Sequence, residues 1–296
     1  MSELREKFLT DGYLKIENAF NPKFLNQLIA EEDEIVLNKG LSCYKSLWKI
    51  IINEKVLSFL RDVFDNDLNY NCDSGARIDH NAKVPPPKNL LHRDNQNVYN
   101  PGESFEVARC AIYLNDYSNL SDCPSIVPGS HKTVDLNIKN LLRLFDKGNM
   151  FVQEREERLH GRKIKLKKTR IRQFFKKKKI NIITKPGDLV LWNLRTLHQG
   201  YSKRFKFMKK YCIPNIFYYI LPKFLLLPTP KTRDAIFFVI YSLKNDESGS
   251  VKEYCDRRYK SIDRAHWEFQ INPDMIKHFK EEGINIDARG FEKIHN

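Results

Sequence analysis

The sequence predicts an α+β chain in which helices come first and a β-sandwich or jelly roll follows. Helical apolar spacing is confined to the first part of the chain, to about residue 70. From about Asn71 onward, short apolar runs alternate with turns that carry Pro and Gly. Helices followed by many strands suit segregated layers rather than repeated βαβ units.

Each element has its own signal. DGYLKIENAF reads as a short strand ahead of the helices. Asn21-Pro22 reads as an N-cap with proline at the first helical position. Phe24, Leu25, Leu28 and Ile29 then recur at helical spacing. Asn53 caps a second predicted helix, with Val56, Leu57, Leu60 and Phe64 on one face. PPPKNLLHRDNQNVYNPGE reads as turn, strand and turn, and EVARCAIYLNDY as a strand. NLSDCPSIVPGSHK is a loop and a short strand ending at a Pro-Gly turn. ITKPGDLVLWNLRTLHQG is a turn entering a strand. RDAIFFVIYSL is a buried strand with an arginine at its entrance.

Two of these segments carry chemistry. In an extended strand residues i and i+2 share a face. His92 and Asp94 of LLHRDNQNVY would therefore offer a nitrogen and an oxygen to one point. His198 of KPGDLVLWNLRTLHQG, arriving from another strand, would complete a two-His, one-carboxylate face. Such a face leaves coordination positions open and suits non-haem Fe(II) that handles O2. Taken singly, each residue has a plainer role, and Asp94 would cap a turn in RDNQN.

Composition narrows the class. A chain of 296 residues buries a sizeable core. The charged start MSELREKFLTDG lacks the apolar region of a secretory signal. The greasiest stretch, IFYYILPKFLLLP, is interrupted by Pro222 and Lys223 and is too short to span a bilayer. Cys43, Cys72, Cys110, Cys123, Cys212 and Cys255 are scattered without a CxxC pair, which reads as reduced cytoplasmic thiols. The net charge of +14 falls to +3 without Gly161–Lys179, where 11 Lys and Arg stand with no acid. The basicity is local: a solvated helix or hairpin, or a clamp for an anionic substrate or an anionic membrane surface.

In order, FLTDGYLKIENAF, HRD, AIYLND with VPGSHK, and KPGDLVLWNLRTLHQG resemble the phytanoyl-CoA dioxygenase family of Fe(II)/2-oxoglutarate oxygenases. The resemblance covers most of residues 1–245. It implies a double-stranded β-helix, or cupin-type jelly roll, with N-terminal helices packed outside and inserted basic and aromatic cap segments. It also implies Fe(II), with 2-oxoglutarate and O2 as co-substrates. The corresponding domain organisation is one oxygenase domain over 1–296. A helical part covers about 1–70 and a jelly-roll core about 71–245, with insertions at about 135–180 and 205–230. A C-terminal extension covers about 246–296.

Carried over residue by residue, His92, Asp94 and His198 match the iron ligands, and no further catalytic residue is implied. The family places a basic residue after the distal histidine to hold the far carboxylate of 2-oxoglutarate. The familiar spacing lands near Lys209, with Arg204 close by. The arginine at a strand entrance is Arg233, whose planar fork suits a carboxylate better than an ammonium does. Arg77 and Asn95 are further candidates for contact with 2-oxoglutarate, as are His80 and Gln96. His131 of PGSHK reads as structural or substrate-facing, and Trp192, Asn193 and Tyr113 as packing or pocket walls.

The expected activity is hydroxylation of a small organic substrate, anionic or linked to a lipid or sugar. Nucleic acid is not an expected partner, and peripheral membrane contact stays open. Two other readings remain: a catalytically silent jelly-roll binding protein, and a nucleic-acid-associated protein using 161–179. The intact HxD…H argues against the first, and the lack of a nucleic-acid-binding motif against the second.

Overall fold

The computed structural model describes residues 1–36, 39–79, 92–94, 104–132, 179–208, 213, 221–264 and 272–286, with backbone alone for 259–264. Asn95, Gln96, His80, Lys209 and nearly all of the basic stretch 161–179 lie outside the described residues.

The chain opens with a helix that its charged sequence did not announce. Helix α1 (Glu3–Asp11) is capped by the Ser2 hydroxyl, which accepts from the Arg5 amide. It stops at Gly12, in the left-handed region at φ 73°, where the amide donates back to the Phe8 carbonyl. Strand β1 (Tyr13–Ile16) follows and turns Leu14 and Ile16 into the main core on the helix side. Helix α2 (Pro22–Ala30) starts as its sequence predicts, with the Asn21 side chain accepting from the Lys23 amide and Pro22 in the first turn. Helix α3 (Glu54–Val63) is capped by Asn53, and Val56, Leu57, Leu60 and Val63 are buried.

Two sheets carry the rest. The larger contains β1, β2 (Leu68–Arg77), β3 (Val107–Tyr113), β6 (Leu189–Asn193), β8 (Ala235–Tyr241) and β9 (Ile284–Ile286). Its order is β1-β6-β3-β8-β2-β9, antiparallel except for the β2–β9 pair. The smaller contains β5 (Ile180–Asn181), β4 (Cys123–Ile126) and β7 (His198–Ser202), in that order. Helices α4 (Ser250–Arg264) and α5 (Pro273–Glu281), like β9, fall where the sequence reading saw only an extension.

Strand alternation explains the layers. Cys110, Ile112, Leu189, Leu191, Ile236, Phe238 and Ile240 pack outward against α1–α3 in the main core. Their neighbours Ala111, Tyr113, Val190, Trp192 and Ala235 face inward and pack with Cys123, Ile126 and Ile182 from the smaller sheet's side. Both faces are covered, so these strands read as near-continuous apolar runs. Truncating Phe238, fully buried, would cost about 3–5 kcal/mol.

One irregularity matters for the site. Strand β2 pairs Asn71 with Val239 and Gly75 with Phe237, so the register slips between them. Such bulges re-aim side chains, and this one contains Asp73.

Candidate metal centre

His92 and Asp94 do not sit on a continuous strand, contrary to the i, i+2 argument. His92 forms an isolated bridge with His198, each amide donating to the other's carbonyl at 2.9 Å, and Asp94 follows in a bend. The convergence survives because this bridge joins the two segments directly. Asp94 Oδ1 lies 3.7 Å from His92 Nε2 and 3.5 Å from His198 Nε2. The three side chains offer one donor atom each, all within 4.8 Å of one another.

The PGSH turn explains how both segments are held. Arg93, between the two candidate ligands, donates to the Ser130 carbonyl at 2.9 Å and to the Arg195 carbonyl. The Ser130 hydroxyl accepts from the Leu197 amide at 2.8 Å, immediately before His198. One short turn thus braces HxD and the distal histidine together. The N-terminus adds a second brace: the Gly12 carbonyl accepts from the Asn193 amide and from the Thr196 hydroxyl, both at 2.9 Å. His131 contacts the Leu9 carbonyl at 3.1 Å, a structural position away from the ligand cluster.

Hydrogen bonding orients the donors. His198 Nδ1 lies 3.0 Å from the Thr196 carbonyl. A carbonyl can only accept, so Nδ1 carries the hydrogen and Nε2 presents its lone pair toward Asp94. Burial pushes His198 down to about 4; Asp94 opposes this and His92 adds to it, so the ring is neutral at pH 7. Burial works to raise the Asp94 carboxyl, but Arg109, His198, His92 and the Trp192 hydrogen bond hold it well below the usual carboxylate range. Asp94 Oδ2 is engaged by Trp192 Nε1 at 3.2 Å and by Arg109 Nε at the same ion-pair distance. Oδ1 is left facing the two imidazoles.

Behind Asp94 stands a charge chain that the sequence reading missed. Arg109 also reaches Asp73 Oδ2 at 2.6 Å. Asp73 is buried and is gripped from the far side by Arg258 of α4, through two bonds of 2.8 Å. A signal existed: Arg109 interrupts an otherwise apolar strand, and a charge there needs a buried partner.

The candidate anchors for 2-oxoglutarate separate clearly. Arg204 is fully buried, and its guanidinium donates to the backbone carbonyls of Tyr117 and Leu120. Arg233 stands two residues before β8, stacked over Tyr201 with 3.5 Å to the ring centroid. It donates to the Tyr117 hydroxyl at 3.3 Å and to the Gly200 carbonyl. Tyr113 lies within electrostatic reach of both Asp94 and Arg233. Arg77 ends β2, with its guanidinium 5.6 Å from the Phe237 ring centroid.

Comparison with solved structures finds distant likenesses. AviO1 from Streptomyces viridochromogenes Tue57 is 12% identical over 82% of this chain and 95% of that one, with TM-score 0.47. Iron-bound HygX from Streptomyces hygroscopicus is 13% identical over 82% and 88%, with TM-score 0.49. The non-heme alpha ketoglutarate dependent carbocyclase SnoK from nogalamycin biosynthesis is 14% identical over 82% and 84%, with TM-score 0.47. At this similarity they carry no weight for substrate or site. No curated protein matches the chain. The family model for phytanoyl-CoA dioxygenase matches residues 45–209, more than half of the sequence, and the chain belongs to that family.

Proposed function

We propose that this protein is an Fe(II)/2-oxoglutarate-dependent hydroxylase acting on a small organic molecule, with His92, Asp94 and His198 as its iron ligands. We read the two sheets as the major and minor halves of a double-stranded β-helix, and the chain as one oxygenase unit with its C-terminal helices included. Fe(II) and 2-oxoglutarate are the cofactor and co-substrate that family membership brings, and the donor set fits them. Two imidazoles and one carboxylate on one side of a point suit a metal that must keep positions open. The observation that carries the reading is the convergence of those three donor atoms within 4.8 Å.

When bound, iron with 2-oxoglutarate and O2 supplies an oxidant able to take hydrogen from a C–H bond, while 2-oxoglutarate leaves as succinate and CO2. The protein's own residues orient and exclude. Trp192 and Arg109 occupy Asp94 Oδ2 and so favour ligation through Oδ1 alone. The Thr196 carbonyl fixes the His198 tautomer. Arg233 is the anchor for the far carboxylate, since Arg204 is spent on backbone carbonyls. Its contact Gly200 follows His198 by two residues, about 7 Å along a strand, the length scale of a five-carbon dicarboxylate.

Anaerobic titration with Fe(II) and 2-oxoglutarate tests the reading. The wild type should develop the weak visible charge-transfer band of the chelate, and His92→Ala and Asp94→Ala should not. Succinate production by either variant at the wild-type rate would remove the ligand assignment.

A further inference from the structure

Among the described residues, arginines outnumber carboxylates on the inner face of the large sheet. The guanidinium groups of Arg77, Arg109, Arg233 and Arg258 meet there or at its ends. Two carboxylates, Asp73 and Asp94, oppose them, and both are committed to Arg109 and Arg258. Burial keeps the phenols of Tyr113 and Tyr117 protonated, so they add no negative charge. Among these named groups the excess is two positive charges. Loading does not change it, because Fe(II) and the 2-oxoglutarate dianion cancel. Partial burial adds to the cost of the charged form of Arg77, and Arg109 and Arg233 crowd it with like charge, so a ligand that brings negative charge is favoured there.

The surplus sits on Arg233 and Arg77. Neither has a carboxylate within ion-pair distance among the described residues. Arg77 pairs in register with Ala235, and Arg233 lies two residues before Ala235. The two guanidinium groups lie within electrostatic reach of one another. One carboxylate of 2-oxoglutarate satisfies Arg233. Arg77 then remains: it ends β2, has no hydrogen-bond partner among the described residues, and holds its guanidinium over the Phe237 ring. Phe237 also meets Tyr113 edge-on at 6.2 Å, so an apolar wall leads inward from Arg77 toward Ala111 and Trp192.

We propose that Arg77 is the anchor for an anionic prime substrate, an organic molecule carrying a carboxylate or a phosphate monoester whose apolar part lies along Phe237 and Tyr113. This rests on the iron-site reading above and assigns Arg77 to the substrate rather than to 2-oxoglutarate. A bidentate guanidinium contact orients as well as attracts, so the anion would also select which C–H bond is presented.

The experiment is calorimetric titration of the full chain, loaded anaerobically with Fe(II) and saturating 2-oxoglutarate. The probes are glycerol 3-phosphate and butyrate, with glycerol as the neutral baseline. Wild type should bind at least one of the two anions, and the preferred one identifies the charged group. Arg77→Gln should weaken that binding about tenfold or more, with Arg77→Lys between the two. The affinity of Arg77→Gln for 2-oxoglutarate should stay within about twofold of wild type, as expected for a residue outside that contact. Equal anion binding by wild type and Arg77→Gln overturns the assignment, as does binding of neither anion by wild type. A loss of 2-oxoglutarate affinity matching that of Arg233→Gln also overturns it, by moving Arg77 into the co-substrate site. Should the wild type lack the iron–2-oxoglutarate band, the iron reading fails separately. The same titrations on metal-free protein then decide the anion site.

Discussion

Arg109 grips the oxygen of Asp94 that the histidines do not face. Its Nε lies 3.2 Å from Asp94 Oδ2, while Asp94 Oδ1 looks toward His92 and His198. The other arm of the guanidinium is 2.6 Å from Asp73. A candidate ligand is thus held by a cation that is itself held by a second buried acid. Partners of this kind, one step removed from a metal, commonly change affinity by about 10–100-fold. Arg109→Gln should weaken divalent-metal binding within that range, and Arg109→Lys should recover part of it. Co(II) titration followed by absorbance checks this, and unchanged affinity in Arg109→Gln would confine Arg109 to a structural role.

Asp73 adds a pH signature. Burial tends to raise its carboxyl, but Arg109 and Arg258 outweigh burial and hold it below its ordinary 3.8. The unfolded chain therefore takes up this proton before the folded one does. The stabilisation is present above about pH 4 and is lost as pH falls through the lower folded value. Asp73→Asn should lower the melting temperature of metal-free protein at pH 7, and the gap to wild type should narrow below pH 4. A gap that stays constant from pH 7 to pH 3 would show that the charge on Asp73 contributes little.

Arg233 and Arg204 should fail in different ways. Arg233→Gln should raise the 2-oxoglutarate dissociation constant by about 10–100-fold, the size of a lost charge-assisted contact, with little effect on iron binding. Arg204→Gln should lower thermal stability instead, because buried carbonyls lose their donors at about 1–3 kcal/mol each. Parallel measurements of co-substrate affinity and melting temperature separate the two. A larger affinity defect in Arg204→Gln would reverse the assignment.

Gly12 ties the chain's beginning to the site. At φ 73° a side chain is strained, and a Cβ there would lie 2.2 Å from His131 Nδ1 and 2.6 Å from Thr196 Oγ1. Gly12→Ala should destabilise by about 2 kcal/mol or more, combining backbone strain with displaced neighbours. Metal affinity should fall with it, since Thr196 orients His198. Denaturant unfolding together with metal titration tests both, and retention of both at wild-type values would refute the brace.

The candidate ligands are legible in the sequence because a metal face demands particular residue types, and few segments offer HxD with a later histidine. The helix caps at Asn21 and Asn53 are legible because capping is local. Helix α1 is not, since its face is short and mixed and it is held by distant partners such as Arg5 with Glu106. Asp73, Arg109 and Arg258 escape for the same reason: their pairing joins β2, β3 and α4, and no spacing rule predicts such a meeting. Trp192 reads as packing until its indole is seen donating to Asp94.

The order of the large sheet bears on how the molecule is made. Strand β1 forms one edge and β9 the other, so the earliest and latest strands along the described chain close opposite sides of one sheet. Contacts this distant in sequence form slowly. During synthesis β2 would wait, its flank open to pairing with other chains, until β9 leaves the ribosome. Arg258 also arrives late, so a nascent chain holds Asp73 with only one of its two cations. Iron binding measured on stalled ribosome complexes would therefore rise only after α4 has emerged, well after all three candidate ligands have.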